Sequence, residues 1–369
     1  MSQNYFEKYK TELDAFASMS QKAGTRSDYV QGGGGNTSCK LDDKLMAIKA
    51  SGYRLDQIRP DQAYAVMDYA MLREFYGKTD PASLSDVEKE GSAVAKAATV
   101  RIEELAELRP SVEAGFHSML DTYVLHSHAV YANLITCSDQ GREIADKVMN
   151  SLDLNYAYVP YINPGAQLTF AITGAREAAR AADGTLPAII FMENHGLIAT
   201  SDDAEVCANL HEKVNEGVKS FFGLTNNAWP EASVVAVGEN YKSSTNWLQD
   251  QLKNICWDVA MFTEQALYPD QLVFLAGQLE EVAVGSLADW QAAGNSSETK
   301  CLVFRQTGEV YYQCKEQEAL TIEQTLAAIL FIHKYIKAQG YTVKLMNAAG
   351  KDFISNWESE KYRKSIAEK

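Results

Sequence analysis

Residues 187–192 constrain the fold most, because six consecutive apolar residues without a charge are typical of a strand buried inside a sheet. Residues 193–196 then predict a turn, and residues 197–200 predict a second strand that leaves it. His195 lies in this turn beside Gly196, and a glycine lets another part of the backbone come close. We therefore expect His195 at a strand end, as a candidate metal ligand.

A second apolar run, residues 123–125, ends in His126, Ser127 and His128. Side chains two apart on a strand point to the same face, so both imidazoles can reach one point in space. A pair of neutral imidazoles suits a zinc-like cation. The alternative is two polar residues at a strand end, each hydrogen-bonded to a backbone carbonyl or to water, and the spacing alone leaves both open.

Two glycine-containing segments near the N-terminus are candidate anion-binding loops. Residues 32–35 are four glycines, followed by Asn36 and Ser38, and a second segment contains Ser51 and Gly52. Glycines tolerate positive φ, so successive N–H groups can turn inward around an anion. Neither the Walker pattern nor a strand-to-helix GxGxxG is present, which argues against a nucleotide-binding fold. A flexible loop is the alternative explanation of the glycines.

Glu113 adds a carboxylate to this set. It precedes His117 by four residues, so the two share a face if the segment is helical, although a surface pair would show the same spacing. Together with His126, His128 and His195 it describes a catalytic metal site, because three protein ligands leave one position open. An open Lewis acid can bind the oxygens of a hydroxyketone and stabilise an enediolate, with Glu113 moving a proton.

The composition sets limits on location and partners. The 369 residues are 46% hydrophobic and 22% charged, which is ordinary for a soluble globular protein. The net charge of −15 argues against nucleic acid or an anionic membrane as the main partner. Six cysteines without a CxxC pair indicate free thiols. With no apolar signal core and no long apolar run, the sequence predicts a cytoplasmic protein.

Hydrophobic spacing also predicts several helices. Thr321 and Gln324 fit a capping box at the start of the last of them, and Gly340 fits its end. The predicted helices cover residues 4–20, 86–108, 166–182, 203–222, 246–266 and 322–339.

A change of composition at residues 226–230 predicts a domain boundary. We expect a catalytic domain over residues 1–229 and a helix-rich α+β extension over residues 230–369. His211 and His333 lie on or beside the apolar stripes of their helices, and we expect both to be structural.

The motifs GGGGNTS, KASG, RPSVEAGFH, HSH and ENHGL, in this order over about residues 20–225, resemble the class II aldolase/adducin family. The resemblance implies that His126, His128 and His195 bind Zn²⁺ or another divalent transition metal and that Glu113 is catalytic. It also implies a phosphate-binding pocket formed by Gly35, Asn36, Ser38, Ser51, Gly52 and Ser111.

The family resemblance implies a fold and an assembly as well. The implied fold is α/β, a three-layer α/β/α sandwich around a mostly antiparallel central sheet, here with a C-terminal α+β extension. The implied assembly is a homotetramer. The whole chain resembles the aldolase portion of fused rhamnulose-1-phosphate aldolase/alcohol dehydrogenase proteins, on the short spacing from Glu113 to His126 and on residues 356–362.

The sequence departs from the family pattern in two places. Val112 stands where shorter members have a second serine, so one phosphate hydroxyl is missing, and Lys40 or Lys49 could compensate. No motif aligns with the tyrosine that protonates the leaving fragment. The candidates for that role are Tyr156, Tyr158 and Tyr161.

The resemblance predicts an aldehyde-lyase that cleaves a ketose 1-phosphate of the rhamnulose or fuculose type to dihydroxyacetone phosphate and an aldehyde. One alternative is a pentulose-5-phosphate 4-epimerase that uses the same site. Another is a non-catalytic, adducin-like binding module, although such a module would lack the histidine ligands. Hydrolases of the amidohydrolase type also use His-x-His, but the order of motifs differs here.

Overall fold

The structure, a computed structural model, describes residues 4–283 and 285–356. It divides into two compact units. Unit 1 contains the described residues up to Thr136 together with Gln140–Phe221, and unit 2 contains Cys137–Asp139 and the described residues from Phe222 onward. The domain boundary at 229/230 stays a prediction. Residues 357–362 of the segment that resembles the fused proteins lie outside the described residues.

Unit 1 is built on a sheet in the order β4-β3-β2-β1-β5-β8-β7-β6. All neighbouring strands are antiparallel except β6 and β7, so the expected mostly antiparallel sheet is confirmed. The strands are β1 Asn36–Lys40, β2 Leu45–Lys49, β3 Tyr64–Asp68, β4 Thr99–Val100, β5 Tyr123–Ser127, β6 Tyr156–Val159, β7 Ile189–Met192 and β8 Gly196–Ser201.

Helices cover both faces of this sheet. One group packs around α9 and the other around α5 and α8, which gives the three layers of an α/β/α sandwich. The helices are α1 Tyr5–Lys8, α2 Lys10–Gly24, α3 Tyr69–Lys78, α4 Val87–Ala97, α5 Ala114–Met119, α6 Val130–Thr136, α7 Gly141–Leu152, α8 Ala166–Ala178 and α9 Ala204–Phe221, and short 3₁₀ turns span Leu55–Gln57 and Pro81–Ser83.

The alternation of side chains along β5 decides which layer the site faces. Val124 points toward α5 and α8, where it belongs to a fully buried cluster with Phe116 and Leu168. Each such side chain contributes about 1.5–3 kcal/mol when it is buried. His126 is two residues further along and lies on the same face, with its ring against Phe116. The apolar core of this layer therefore supports the histidine.

The predicted helix over residues 86–108 is wrong in its second half. α4 ends at Ala97, and Thr99 and Val100 pair with β3 instead of continuing the helix. The hydrogen bonds of a sheet neighbour distant in sequence here outweigh the local helical spacing. The result is an irregular segment that leads directly to Ser111 and Glu113.

Unit 2 contains a smaller sheet in the order β11-β12-β13-β10-β9, in which β11 and β12 are parallel and the other pairs antiparallel. The long helix α14 packs beside β9 and β10. The elements are β9 Val234–Val237, β10 Asn240–Ser243, α10 Asn246–Asn254, α11 Val259–Thr263, α12 Pro269–Leu275, β11 Leu279–Val282, α13 Leu287–Ala292, β12 Cys301–Phe304, β13 Val310–Tyr312, α14 Glu316–Ala338 and α15 Ala348–Asn356.

Two helix predictions for unit 2 are wrong in their bounds. The helix expected over residues 246–266 is divided into α10 and α11, because the Asp258 side chain accepts a hydrogen bond from Met261 N and starts a new helix. α14 starts at Glu316, so Thr321 is inside the helix and its hydroxyl donates to Gln317 O. The predicted stop is confirmed, since Gly340 follows the helix in the left-handed region, with a φ of +75°.

No helix within residues 4–283 or 285–356 has the length and apolar composition needed to cross a membrane. All six cysteines are free thiols.

Candidate active site

Three imidazoles from two neighbouring strand ends converge in unit 1. His126 is in β5, His128 follows it, and His195 lies in the turn between β7 and β8, where Asn194 adopts a φ of +50°. One ring nitrogen from each lies within 4.8 Å of the other two, and all three residues are buried. The ring centroids are 5.0 to 5.2 Å apart. The structure thus brings together the three residues that the sequence proposed as metal ligands.

The hydrogen bonding of His126 fits a metal ligand. Its Nδ1 lies 3.0 Å from Leu197 O, and because a carbonyl can only accept, Nδ1 carries the proton. Nε2 therefore has a lone pair, and this fully buried atom has no hydrogen-bond partner among the described residues. Burial and the two neighbouring imidazoles lower the pKa of His126 well below 6.5, so the ring is neutral. A second-layer carbonyl that fixes the tautomer is a usual feature of histidines that bind zinc.

Glu113 lies directly beside these imidazoles, at the N-cap of α5. Its Oε1 is 3.3 Å from His195 Nε2 and its Oε2 is 3.6 Å from His126 Nε2. A carboxylate facing the lone pair of His126 Nε2 is unfavourable unless a cation or a proton lies between them. The donor set of imidazole nitrogens and one carboxylate is suited to a divalent transition metal.

Asn36 connects Glu113 to the N-terminal loop. Its Nδ2 donates to Glu113 Oε2 at 2.5 Å and to Ser111 Oγ at 3.0 Å. Asn36 is opposite His126 in the β1–β5 register, so their side chains project from the same face of the sheet. Asn36 of the predicted phosphate pocket is therefore in contact with the predicted catalytic carboxylate, and Ser111 is hydrogen-bonded to Asn36 and to the backbone N–H of Glu113.

Three other residues of the predicted phosphate pocket lie in two separate places: Ser51 and Gly52 in a loop after β2, and Ser38 inside the α5 layer. Ser51 and Gly52 follow β2, and the Lys49 ammonium joins their loop to the glycine loop by donating to Gly33 O and Tyr53 O. Gly52 has a φ of +87°. Ser38 is fully buried, and its hydroxyl is hydrogen-bonded to His117 Nδ1 at 2.7 Å, inside the α5 layer.

Gly35 and Gly196 are required by close packing against β5. A Cβ at Gly35, which has a φ of +63°, would lie 2.6 Å from His126 O. A Cβ at Gly196 would lie 2.1 Å from Ser127 O. Since real side chains do not approach so closely, both neighbours of β5 need glycine at the level of the histidines.

Lys40 serves the structure of α5. Its buried Nζ donates to the carbonyls of His117, Leu120 and Asp121, at the C-terminal end of that helix. Burial, reinforced by Arg73, lowers the pKa of Lys40 to about 7. Its N–H groups are thus directed at backbone oxygens.

The three candidate tyrosines differ in their surroundings. The hydroxyl of Tyr156 donates to Asp146 at 2.6 Å, and Tyr158 is 8% exposed. The hydroxyl of Tyr161 is buried with no hydrogen-bond partner among the described residues, and burial raises its pKa.

His211 lies behind β5, on the α9 side of the sheet. Its Nε2 is 2.6 Å from Ser127 Oγ, and Asn215 Nδ2 donates to its Nδ1 at 3.3 Å. Burial lowers its pKa to about 3. These contacts are those of a neutral ring that belongs to the core.

The buried imidazole triad in this α/β/α sandwich lies beside a carboxylate and could hold a divalent metal ion. Residues 14–220, more than half of the chain, match the family model described as "Class II Aldolase and Adducin N-terminal domain". The chain belongs to the class II aldolase/adducin family. None of the curated proteins matches it in sequence.

Several solved structures are similar to part of this chain. One is the N-terminal class II aldolase domain of a conserved protein from Thermoplasma acidophilum, with 24% identity, a TM-score of 0.47, and coverage of 60% of this chain and 99% of that one. Another is an L-fuculose 1-phosphate aldolase (19% identity, TM-score 0.38, coverage 57% and 84%). A third is a sugar-phosphate aldolase from Thermotoga maritima, with 11% identity, a TM-score of 0.42, and coverage of 58% of this chain and 94% of that one.

Sequence reasoning missed the position of His117. The spacing from Glu113 suggested a surface pair as the simplest explanation, but His117 is fully buried and hydrogen-bonded to Asn36 and Ser38. The available signal was the apolar neighbour Phe116, which stacks on the His117 ring.

Proposed function

We propose that this chain is a divalent-metal-dependent aldehyde-lyase that cleaves a ketose 1-phosphate of the rhamnulose or fuculose type into dihydroxyacetone phosphate and an aldehyde. The observation that carries the proposal is the convergence of His126, His128 and His195, with one nitrogen of each within 4.8 Å of the others, beside the carboxylate of Glu113. Membership of the family supports an activity of this kind.

In this proposal the three histidines hold Zn²⁺ or another divalent transition metal, which supplies Lewis-acid polarisation of a ketose carbonyl. The protein itself supplies the rest. Leu197 O holds the His126 ring in the tautomer that presents Nε2 to the site. Glu113 is the group that accepts or returns a proton at the carbon next to the carbonyl, because its carboxylate is buried within the same cluster.

An anionic group on the substrate would bind beside the glycine loop. Gly35, Asn36, Ser51, Gly52 and Ser111 surround this region, and Lys49 supplies positive charge in a protein of net charge −15. Backbone N–H groups of a glycine-rich turn with positive φ suit phosphate. We assign Ser38 to the support of His117 rather than to the substrate, because its hydroxyl is buried and already hydrogen-bonded.

The rhamnulose type rests on the resemblance to the fused aldolases, including the short spacing between Glu113 and His126. The homotetramer and the identity of the metal stay predictions from the family resemblance, and the cytoplasmic location stays a prediction from the sequence composition.

The test combines elemental analysis of the purified protein with an assay for triose phosphate. L-Rhamnulose 1-phosphate and L-fuculose 1-phosphate are incubated with the metal-loaded protein, and the free ketoses serve as matched substrates without phosphate. We expect dihydroxyacetone phosphate from at least one ketose phosphate and a much lower rate with the free sugars. Absence of triose phosphate from every ketose phosphate contradicts the proposal.

Two outcomes would point to the alternatives. Interconversion of pentulose 5-phosphates at C4, detected by chromatography, would indicate an epimerase that uses the same metal and carboxylate. A protein that binds no divalent metal even after incubation with Zn²⁺, Mn²⁺ or Co²⁺ would indicate a binding module.

A further inference from the structure

A chain of three hydrogen bonds leads from the interior of unit 1 to Glu113. Ser38 Oγ contacts His117 Nδ1, His117 Nε2 contacts Asn36 Oδ1, and Asn36 Nδ2 contacts Glu113 Oε2. Ser38 and His117 are fully buried and Asn36 is 4% exposed. Water therefore has little access to any member of the chain except at the Glu113 end.

The direction of each hydrogen bond follows from the chemistry of the groups. A carboxylate can only accept, so Asn36 must direct its NH₂ group at Glu113 and its carbonyl oxygen at His117. His117 Nε2 must then carry the proton that this oxygen accepts. Because the ring is neutral, Nδ1 has a lone pair and accepts from the Ser38 hydroxyl.

The protein holds His117 in this neutral state by more than one means. Complete burial, together with the nearby Lys40 ammonium, lowers the pKa of His117 well below 6.5. The ring is also fixed in orientation, because it stacks on Phe116 with centroids 4.6 Å apart and because Lys40 Nζ donates to the His117 carbonyl. A single tautomer in a single orientation is therefore available to Asn36.

We propose that His117 is a positioning residue, whose Nε2–H holds the Asn36 amide with its NH₂ group toward the Glu113 carboxylate and so keeps that carboxylate beside His126 and His195. Without His117 the Asn36 amide could rotate by half a turn and present its oxygen to Glu113, and two acceptors would then repel each other. The proposal rests on the proposed function only for its kinetic consequences. The tautomer and the hydrogen bonds are independent of the substrate.

The kinetic test uses two variants at one position. His117→Phe removes the donor but keeps a ring against Phe116, whereas His117→Gln keeps an N–H donor near the position of Nε2. We expect His117→Phe to lower kcat by about 10–100-fold, as losses of supporting hydrogen bonds at metal sites do, with KM changed much less. His117→Gln should recover most of that loss. Metal content should be unchanged in both variants.

His211→Phe is the matched control. His211 is an equally buried imidazole of unit 1 with hydrogen bonds to Ser127 and Asn215, and it has no contact with Asn36 or Glu113 in the structure. If His117→Phe and His211→Phe lose thermal stability alike and kcat is unchanged in both, the role of His117 is merely structural and the proposal fails.

A double-mutant cycle separates action through Asn36 from direct action. Asn36→Ala and His117→Phe are measured singly and together. If His117 acts through Asn36, the double variant should have nearly the same kcat as Asn36→Ala alone. If the fold-loss of kcat in the double variant instead equals the product of the two single fold-losses, the proposal is overturned.

A measurement without substrate keeps the two proposals distinguishable. In protein labelled with ¹⁵N-histidine, the His117 resonances are assigned by their loss in His117→Gln, and the chemical shifts of the ring nitrogens at pH 7.5 report the tautomer. We expect a protonated Nε2 and an unprotonated Nδ1. A protonated Nδ1 overturns the positioning role whatever the activity. If the expected tautomer is observed but the protein cleaves no ketose phosphate, the hydrogen-bond chain stands and the proposed function is rejected.

Discussion

Among the residues that the structure describes, each unit contains one deeply buried glutamate, and the surroundings of the two differ in kind. Glu323, on α14 of unit 2, accepts hydrogen bonds from the hydroxyls of Ser243, at 2.7 Å, and Tyr312. Glu113 accepts from Asn36, but its oxygens also lie 3.3 and 3.6 Å from imidazole nitrogens. One of these, His126 Nε2, has a lone pair and no hydrogen-bond partner in the part of the chain that the structure describes.

The difference separates a buried carboxylate that stabilises the fold from one that lies in a candidate functional site. Neutral hydroxyls satisfy Glu323 completely within unit 2, so nothing further is needed there. Beside Glu113 the protein places the lone pair of His126 Nε2 3.6 Å from a carboxylate oxygen, an arrangement that costs free energy unless a cation or a proton joins them. Such a local cost is typical of functional sites.

The largest effect on metal binding and on kcat is expected from loss of one histidine ligand. His195→Ala should reduce bound metal from about one ion per chain to nearly none, because two imidazoles hold a divalent cation weakly. The loss of Lewis-acid stabilisation amounts to several kcal/mol, or about 10³-fold or more in kcat. Elemental analysis and the triose phosphate assay measure both. Full metal content in this variant would contradict the assignment.

Paired substitution of the two glutamates compares them directly. Glu113→Gln keeps the shape of the side chain but removes the proton acceptor, so kcat should fall by about 10²–10⁴-fold. Glu323→Gln is the matched change in unit 2, and it should leave kcat within about twofold, since no catalytic group contacts it. Equal kinetic effects of the two substitutions would remove the distinction.

The free energy of unfolding should show the opposite order, with substitution of Glu323 having the larger effect. Glu323→Leu leaves the buried hydroxyls of Ser243 and Tyr312 without their acceptor, which should cost about 3 kcal/mol in the free energy of unfolding of unit 2. All five tryptophans follow Phe221 in the sequence, so tryptophan fluorescence during urea denaturation reports on unit 2 alone. A midpoint equal to that of the native sequence would show that the network is dispensable.

The pH dependence of unit 2 provides a further check on Glu323. Burial raises the pKa of this carboxyl above 4.5, so the folded state binds the proton more tightly than the unfolded state. The corresponding stability is present below pH 4.5 and is lost as pH rises through the folded pKa. In Glu323→Gln this loss should be absent, and the difference is measured from urea midpoints at a series of pH values.

The smallest effect is expected at His333, on the same helix as Glu323. Both of its ring nitrogens are buried without a hydrogen-bond partner among the described residues, and burial lowers its pKa to about 4. Because the unfolded state binds protons from about pH 6.5 downward, the stability of unit 2 should fall as pH drops from 6.5 to 4. His333→Leu should change stability by less than about 1 kcal/mol at pH 7.5 and be more stable than the native sequence by about 2 kcal/mol at pH 5.

Much of the site followed from local patterns. The apolar runs before His126 and before His195 predict strands, and the structure has β5 and β7 there. The alternation along a strand was enough to place His126 and His128 on one face. The convergence with His195 depends on β5 pairing with β8, which involves residues about seventy positions apart and has no local signature.

The sequence was least informative where contacts between distant residues determine the secondary structure or the hydrogen-bond partners. The segment after α4 has helical spacing, yet Thr99 and Val100 pair with β3. Asn36 was assigned from the glycine loop to an anion pocket, while the structure directs its amide at Glu113, because β1 lies between β2 and β5. A buried polar network is defined by which partners surround it, and that information is absent from the spacing of residues.

The two glycines that flank β5 have a consequence for how this site can change. Any side chain at Gly35 or Gly196 would push the neighbouring strand away from the carbonyls of His126 and Ser127 and so widen the distance between imidazoles. A descendant sequence could exchange much of the surface of unit 1 and leave these two contacts intact. It could not gain a single methyl group at either of these positions without displacing β5 from its neighbour.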